Sequence, residues 1–390
     1  MNDFIFHNPD KVYFGRNQMG NLPGELLNYG RKVLLVYGGG SIKRSGLYDQ
    51  VVSLVRDNGM ELFELSGVEP NPRHTTANKG AAICRKEGID VILAVGGGST
   101  IDCAKGIAAA AKTENGDVWP LVSSGVWATD ALPLIAVLTN AATGSEMDAW
   151  CVISNMETNE KIGLGGDALI PKAAFENPEF SFSLPPYQTA CGAFDIFNHV
   201  LDNYYLAGEA TFDLVLEMQE AVMRTVVKWT PVALKEPDNY EARANLMWAS
   251  SMALNSILDA GTVHACACHG MEHELSAYYD ITHGHGLAIL TPRWLTYILN
   301  EDTAPAICRL GERVFGLEKS DNVTEGAKKA IEAVNTFAFE TLGLEPSLSR
   351  LGIDETHFRA MAEHVCGESG IIGVRSLNVD DVVNIYKMCL

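Results

Sequence analysis

VILAVGGGSTIDCAKG, residues 91–106, decides how the first half of the chain folds. Val91–Val95 is apolar at every position, the mark of a strand buried on both faces, as in a parallel sheet. It stops at Gly96-Gly97-Gly98, where glycine permits a sharp turn. The alanine-rich Thr100–Lys112 then reads as a helix. KVLLVYGGGS (32–41) has the same layout, with a helical stretch around Ser45–Asn58 behind it. Working outward, Glu61–Leu65 predicts a strand and Thr75–Glu87 a helix after the break at Asn71-Pro72. PLIAVLT (133–139) predicts a further buried strand. Strand–helix alternation of this kind predicts a parallel sheet with helices on both faces.

Near Leu184-Pro185-Pro186 the texture changes, since proline suits the first turn of a helix. Helical periods run over 186–206, 212–228, 240–258, 264–279, 303–315, 323–341 and 355–365. The stretch Asn155–Gly166 reads as a polar hairpin or loop. The expected division is an α/β domain over 1–181 and an all-α domain over 182–390. A chain of 390 residues makes two domains the default.

The chain carries 29 basic and 49 acidic residues, a formal charge of −20. Such a balance argues against a nucleic-acid backbone or an anionic membrane as partner. No apolar run reaches the roughly 18 residues that span a bilayer. The opening MNDFIFHNPDKVYFG lacks an apolar core behind a basic end, so no signal peptide is expected. Nine cysteines, an odd count at irregular spacing, do not form a secreted disulfide framework. The expectation is a cytoplasmic protein with reduced thiols.

The two glycine turns each open a helix, whose free N–H groups and positive dipole end suit phosphate oxygens. Neither is the GxGxxG fingerprint, and one alone would be weak. Two in consecutive strand–turn–helix units point to a dinucleotide, which makes 1–181 the dinucleotide-binding domain. Gly97, Gly98 and Ser99 are the expected pyrophosphate turn, with Asp102 capping that helix or orienting the loop. Gly38, Gly39 and Ser41 are expected at the adenosine ribose. There Ser41, with Lys43 nearby, favours NADP(H) over NAD(H), although Ser41 serves equally as a helix cap. Thr139, Asn140, Thr143 and Ser145 follow the third apolar strand, where ligands sit in open parallel sheets.

The helical half carries a metal-ligand pattern. Asp195 and His199 stand four apart in CGAFDIFNHV, and His269 and His273 four apart in CHGMEHELSAYYDITHGHG, which ends past His283. Residues four apart share a helix face. A carboxylate with imidazoles suits a divalent ion such as Fe²⁺ or Zn²⁺. Five candidates compete for four places, with Asp195, His199, His269 and His283 the leading set. Spacing does not choose between His273 and His283, and His285 is a further candidate. His264 points to another face. Cys266 and Cys268 face nearly opposite ways on a helix, so they do not share an ion. Cys103 and Cys191 read as packing residues.

These segments resemble the iron-containing alcohol dehydrogenase family, in its butanol dehydrogenase and broad aldehyde reductase branch. The similarity includes FHNPDKVYFG, GVEPNP (67–72), GGGSTIDCAK, TNAATGSEM (139–147), LPPYQTACGAFDIFNH and CHGMEHELSAYYDITHGHG. The resemblance implies that Asp195, His199, His269 and His283 bind the metal, and that His273 lies near nicotinamide and substrate as a catalytic group. It implies that Gly38, Gly39, Ser41, Gly97, Gly98, Ser99, Asp102, Thr139, Asn140, Thr143 and Lys161 line the cofactor groove. It also implies a site between the two domains and a homodimer. Two positions depart from the family pattern, Ala142 in ATGSE and Asn177 before Pro178; neither is among the metal-site residues.

The expected activity is that of a metal-dependent NAD(P)H alcohol dehydrogenase working as an aldehyde reductase on short- to medium-chain substrates such as butanal. Rival expectations are a glycerol or 1,2-diol dehydrogenase, a lyase like dehydroquinate synthase, and a non-catalytic regulator. The lyase needs basic residues near the metal to hold an anion, and none lies between 259 and 292. Trp150, Phe194 and Trp248 are candidates for the substrate pocket.

Overall fold

The computed structural model describes residues 1–208 and 212–390. Contacts divide the chain into two compact units, His7–Leu184, and Met1–Phe6 together with Pro185–Leu390.

The first unit holds strands β1 (Val12–Phe14), β2 (Lys32–Tyr37), β3 (Glu61–Leu65), β4 (Val91–Gly96), β5 (Leu134–Leu138), β6 (Trp150–Asn155), β7 (Glu160–Gly165) and β8 (Ala173–Glu176). Its helices are α1 (Leu22–Leu27), α2 (Ser41–Arg44), α3 (Leu47–Arg56), α4 (His74–Glu87), α5 (Gly98–Ala110) and α6 (Trp119–Ser124). Six strands form one sheet in the order β1-β8-β5-β4-β2-β3, and every neighbouring pair is parallel. β4 and β5 are buried throughout, and β2 from its second residue on, as continuously apolar strands require. The polar stretch after Asn155 is the turn and second strand of a hairpin, β6 with β7.

The topology fixes where a ligand can sit. From β2 the chain moves outward to β3, then crosses back through α4 to β4 on the other side of β2. The order therefore reverses between β2 and β4. Open parallel sheets bind ligands at the carboxyl ends of such a pair. Those ends carry Gly38–Ser41 and Gly96–Ser99.

The second unit is helical among its described residues. It contains α7 (Pro186–Val200), α8 (Asp213–Lys235), α9 (Tyr240–Leu254), α10 (Ala267–Tyr279), α11 (His283–Ile298), α12 (Ala304–Val314), α13 (Val323–Thr336), α14 (Phe358–Cys366) and α15 (Val379–Met388). One π-helical turn, Leu201–Tyr205, continues α7, and another, Phe337–Thr341, continues α13. The helix read over 212–228 runs on to Lys235 through Pro231.

Helices α11 and α15 were not expected from periodicity. The start of α11, His283-Gly284-His285-Gly286, is rich in the residue that costs a helix most entropy, and Pro292 lies inside it. Packing overrides propensity here. A Cβ on Gly284 would lie 2.0 Å from the Cys191 carbonyl oxygen, so only glycine lets α11 approach α7 this closely. Leu287, Ile289, Leu290 and Leu295 then bury completely. Their burial supplies the stability that the glycines withhold.

Candidate metal centre

Three elements of the helical unit converge on one point. On α7, Asp195 and His199 project from one face, four residues apart. His269 comes from the first turn of α10, and His283 is the first residue of α11. Asp195 Oδ1 lies 3.6 Å from His199 Nδ1, 3.5 Å from His283 Nε2 and 3.9 Å from His269 Nε2. All four ligand atoms lie within 4.8 Å of one another. Donors held about 2.1 Å from one ion at tetrahedral corners stand about 3.4 Å apart, so the spacing is that of a coordination shell.

The donor atoms have been left for such an ion. Asp195 Oδ1, His199 Nδ1 and His269 Nε2 are buried with no hydrogen-bond partner. Orphaned buried polar atoms are costly, and three pointing at one another call for a shared cation. Charge agrees with this. Burial opposes ionisation of Asp195, but His199 and His283, then His269, hold its carboxyl well below the usual range. Burial drives His199 down to about 3, which keeps it a neutral donor. Burial works against the His269 imidazolium too, yet Asp195 and Asp202 together raise it to about 9. A positive charge is therefore favoured between these carboxylates.

The second nitrogens of two of these rings are occupied, which fixes the tautomer. His269 Nδ1 lies 3.0 Å from Asp202 Oδ2. His283 Nδ1 is paired with Glu272 Oε2. Such outer carboxylates orient metal-binding imidazoles and raise their basicity. Asp202 also accepts the backbone N–H groups of Ala267 at 3.0 Å and His269 at 2.9 Å, so one carboxylate caps α10 and aims its first-turn histidine. Glu272 accepts a hydrogen bond from Ser276 at 2.5 Å.

Sequence reasoning missed Asp202 and Glu272, though a signal existed. Asp202 stands three residues after His199 and Glu272 three after His269, on the same helical faces. Replacing Asp202 with asparagine keeps a carbonyl acceptor for one of the two backbone donors and removes the charge. This variant should weaken divalent-metal affinity about 10- to 100-fold with little loss of helix content. Competition against a chromophoric chelator reads this directly; unchanged affinity would make Asp202 a helix cap only.

The rival candidates fall elsewhere. His285 uses both ring nitrogens, with Tyr187 Oη at 3.0 Å and the Glu345 carbonyl at 2.9 Å. His264 is exposed against Tyr204. His273 is half-buried, its ring 5.5 Å from that of His283. Cys268 is buried against Thr291, whereas Cys266 reaches Asn203. Phe194 is fully buried among Phe197 and Phe337, which makes it a core residue and not a pocket wall.

In the sheet unit, Gly97 caps α5 and Gly98 begins it. A Cβ on Gly98 would meet Thr143 Oγ1 at 2.2 Å, and one on Gly97 would meet Asn140 Cβ at 3.0 Å. The turn after β4 and the segment after β5 are thus packed against each other. Thr139 donates its backbone N–H to Gly96 at 2.9 Å. Gly38, Gly39 and Ser41 follow β2, and Gly39 and Ser41 are exposed. Lys161 is buried in β7, opposite Ser154. Asp102 does not cap its helix. It accepts from Ser145 Oγ at 2.6 Å and from the Val152 N–H at 3.0 Å, and so ties the following loop to α5.

Comparison with known proteins agrees with this architecture. The family model described as iron-containing alcohol dehydrogenase matches residues 9–178. Its C-terminal counterpart matches residues 189–390. The chain is 46% identical to NADH-dependent butanol dehydrogenase A of Clostridium acetobutylicum over 389 residues, 99% of each chain. It is 37% identical to the NADPH-dependent aldehyde reductase YqhD of Escherichia coli, over 93% of this chain and 92% of that one. The crystal structure of NADH-dependent butanol dehydrogenase A from Thermotoga maritima superimposes with a TM-score of 0.94 at 39% identity, covering 100% of this chain and 99% of that chain. With both family models matched and all four donors converging, the chain is an oxidoreductase that belongs to the iron-containing alcohol dehydrogenase family.

Proposed function

We propose that the protein reduces short- to medium-chain aldehydes, butanal among them, with NAD(P)H, and oxidises the matching primary alcohols. Asp195, His199, His269 and His283 hold one divalent ion, Fe²⁺ or Zn²⁺. The observation that carries this reading is the convergence of their donor atoms, three of them buried and unpartnered. When bound, the ion supplies Lewis acidity toward a carbonyl oxygen. Asp195 contributes the negative charge that retains a dication in a buried place. Asp202 and Glu272 keep the His269 and His283 rings aimed inward. His273 carries the proton that the reduced oxygen needs, and its partial exposure leaves it open to exchange with water.

In this reading, residues 1–181 bind the dinucleotide and 182–390 hold the metal. Gly97, Gly98 and Ser99 take the pyrophosphate on the α5 N-terminus. Gly38, Gly39 and Ser41 meet the adenosine ribose. Thr139, Asn140, Thr143 and Lys161 complete the groove, with Asp102 holding its wall. Similarity to both an NADH-dependent and an NADPH-dependent enzyme supports nicotinamide chemistry without choosing the coenzyme.

The test is oxidation of NADH and NADPH with butanal on protein stripped of metal and then reloaded with Fe²⁺ or Zn²⁺. Turnover should appear only after reloading. Full turnover by the stripped protein, or none by the reloaded one across short and medium aldehydes, would overturn the reading.

A further inference from the structure

The carboxyl ends of β2 and β3 carry a four-residue cluster that the metal chemistry does not use. Tyr37, the last residue of β2, donates its hydroxyl to Glu64 Oε2 at 2.9 Å. Tyr48 on α3 donates to Glu64 Oε1, also at 2.9 Å. Lys43 Nζ stands 4.5 Å from the Tyr48 ring centroid and 5.1 Å from that of Tyr37. Glu64 is exposed, next to last in β3, and among the described residues β3 is an edge strand paired with β2. The cluster adjoins the Gly38–Ser41 turn, where the Gly67 N–H reaches the Gly38 carbonyl at 3.2 Å.

The place has a defined meaning in a doubly wound sheet. Beyond the glycine turn at the reversal of strand order, an acidic group suits a free ribose 2′-hydroxyl. A basic group there suits a 2′-phosphate. This chain offers one of each. Two phenolic donors fix the Glu64 carboxylate in place. Lys43 is drawn over the faces of the same two rings, where an ammonium is attracted by the ring quadrupole. Its hydrogen bond to Tyr37 raises its pKa, so the cation persists.

We infer that Tyr37, Tyr48, Glu64 and Lys43 select the coenzyme: Glu64 sets a fixed negative charge against a 2′-phosphate and keeps Lys43 from reaching one, so that NAD(H) is preferred. This rests on the reading that the protein binds a nicotinamide dinucleotide. It reverses the expectation of NADP(H) drawn from Ser41 and Lys43. Lys43 has the right charge for a 2′-phosphate, but it already has partners.

The experiment is calorimetric titration of the full-length, metal-loaded protein with NADH and with NADPH, for the parent and for Glu64→Gln. Glutamine keeps the size of the side chain and a carbonyl acceptor for one tyrosine while removing the charge. The parent should bind NADH more tightly. Glu64→Gln should shift the ratio of dissociation constants toward NADPH by about tenfold, and added salt should shrink that shift. Adding Lys43→Gln to that variant should erase the gain, because the released ammonium supplies it. A merely structural role would weaken both coenzymes together and leave the ratio and its salt dependence alone. An unchanged ratio, or a parent that prefers NADPH, overturns the inference. Binding needs no aldehyde, so failure to reduce butanal would sink the reductase reading and leave the ratio measurable. Failure to bind either coenzyme would sink both.

Discussion

Replacing His269 with alanine should yield a folded protein that retains no divalent metal and reduces butanal at least about 10³-fold more slowly in kcat/KM. The magnitude follows from the several kcal/mol of charge stabilisation that a metal ion supplies, since about 4 kcal/mol is a factor of about 10³. The specific loss is large because His269 joins two parts of the site. Its Nε2 is one of the orphaned donors beside Asp195, and its Nδ1 is held by Asp202. The fold should survive, because Asp202 keeps the backbone N–H groups of Ala267 and His269 as partners after the ring is gone. Metal content per chain and steady-state kinetics should fall together, while NADH binding persists. A variant that turns over at the parental rate without bound metal would show the site to be elsewhere.

The fold of the sheet unit was legible because burial wrote itself into the strands. KVLLVY and ELFEL are strands over the residues read from the sequence, and VILAV gains one residue, Gly96. Edge strand β1 and the short β8 escaped, since three or four residues carry too little pattern. In the helical unit the wide apolar faces were visible and the start of α11 was not. Glycine at 284 and 286 speaks against a helix locally, and only the contact of Gly284 with Cys191, distant in sequence, explains it. The candidate metal site shows the same division. Spacing paired Asp195 with His199. It did not choose between His273 and His283, because that choice depends on where α11 begins. Asp202 and Glu272 lay on the right faces, but a carboxylate on a helix is usually a solvated one, and burial is a tertiary fact. Lys43 is the sharpest case. Its charge and position near the glycine turn were readable, while its place over Tyr37 and Tyr48, the two rings that share Glu64, depends on β3 lying beside β2.

The second large effect is expected at Lys105, far in sequence from the metal-ligand candidates. Lys105 is fully buried on α5, and its ammonium reaches Asp148 Oδ1 at 2.6 Å, the Asp148 carbonyl at 2.9 Å and the Trp150 carbonyl at 2.8 Å. One turn earlier, Asp102 holds Ser145 and Val152. Together they fasten residues 145–152 to the helix that begins at the glycine turn. Lys105→Met fills the volume and leaves two buried carboxylates without their cation. Removing one partner of a buried pair costs about 3–5 kcal/mol, so chemical denaturation should show a loss of that size at neutral pH. The loss should depend on pH. Burial raises Asp102 to about 6 even with Lys105 opposing it, and burial raises Asp148 as well. An acid whose folded pKa lies above its unfolded value binds more protons in the native state, so stability falls as pH rises through that window. Without Lys105 the window moves upward and the penalty grows, so the variant should lie closer to the parent at pH 5 than at pH 8. Adding Asp148→Asn should recover much of the loss, because an amide needs no counter-charge. Coenzyme affinity should follow the same order, since Thr143, two residues before Ser145, packs on Gly98. A Lys105→Met protein as stable as its parent at both pH values would mean that apolar packing, not the ion pair, holds this segment to α5.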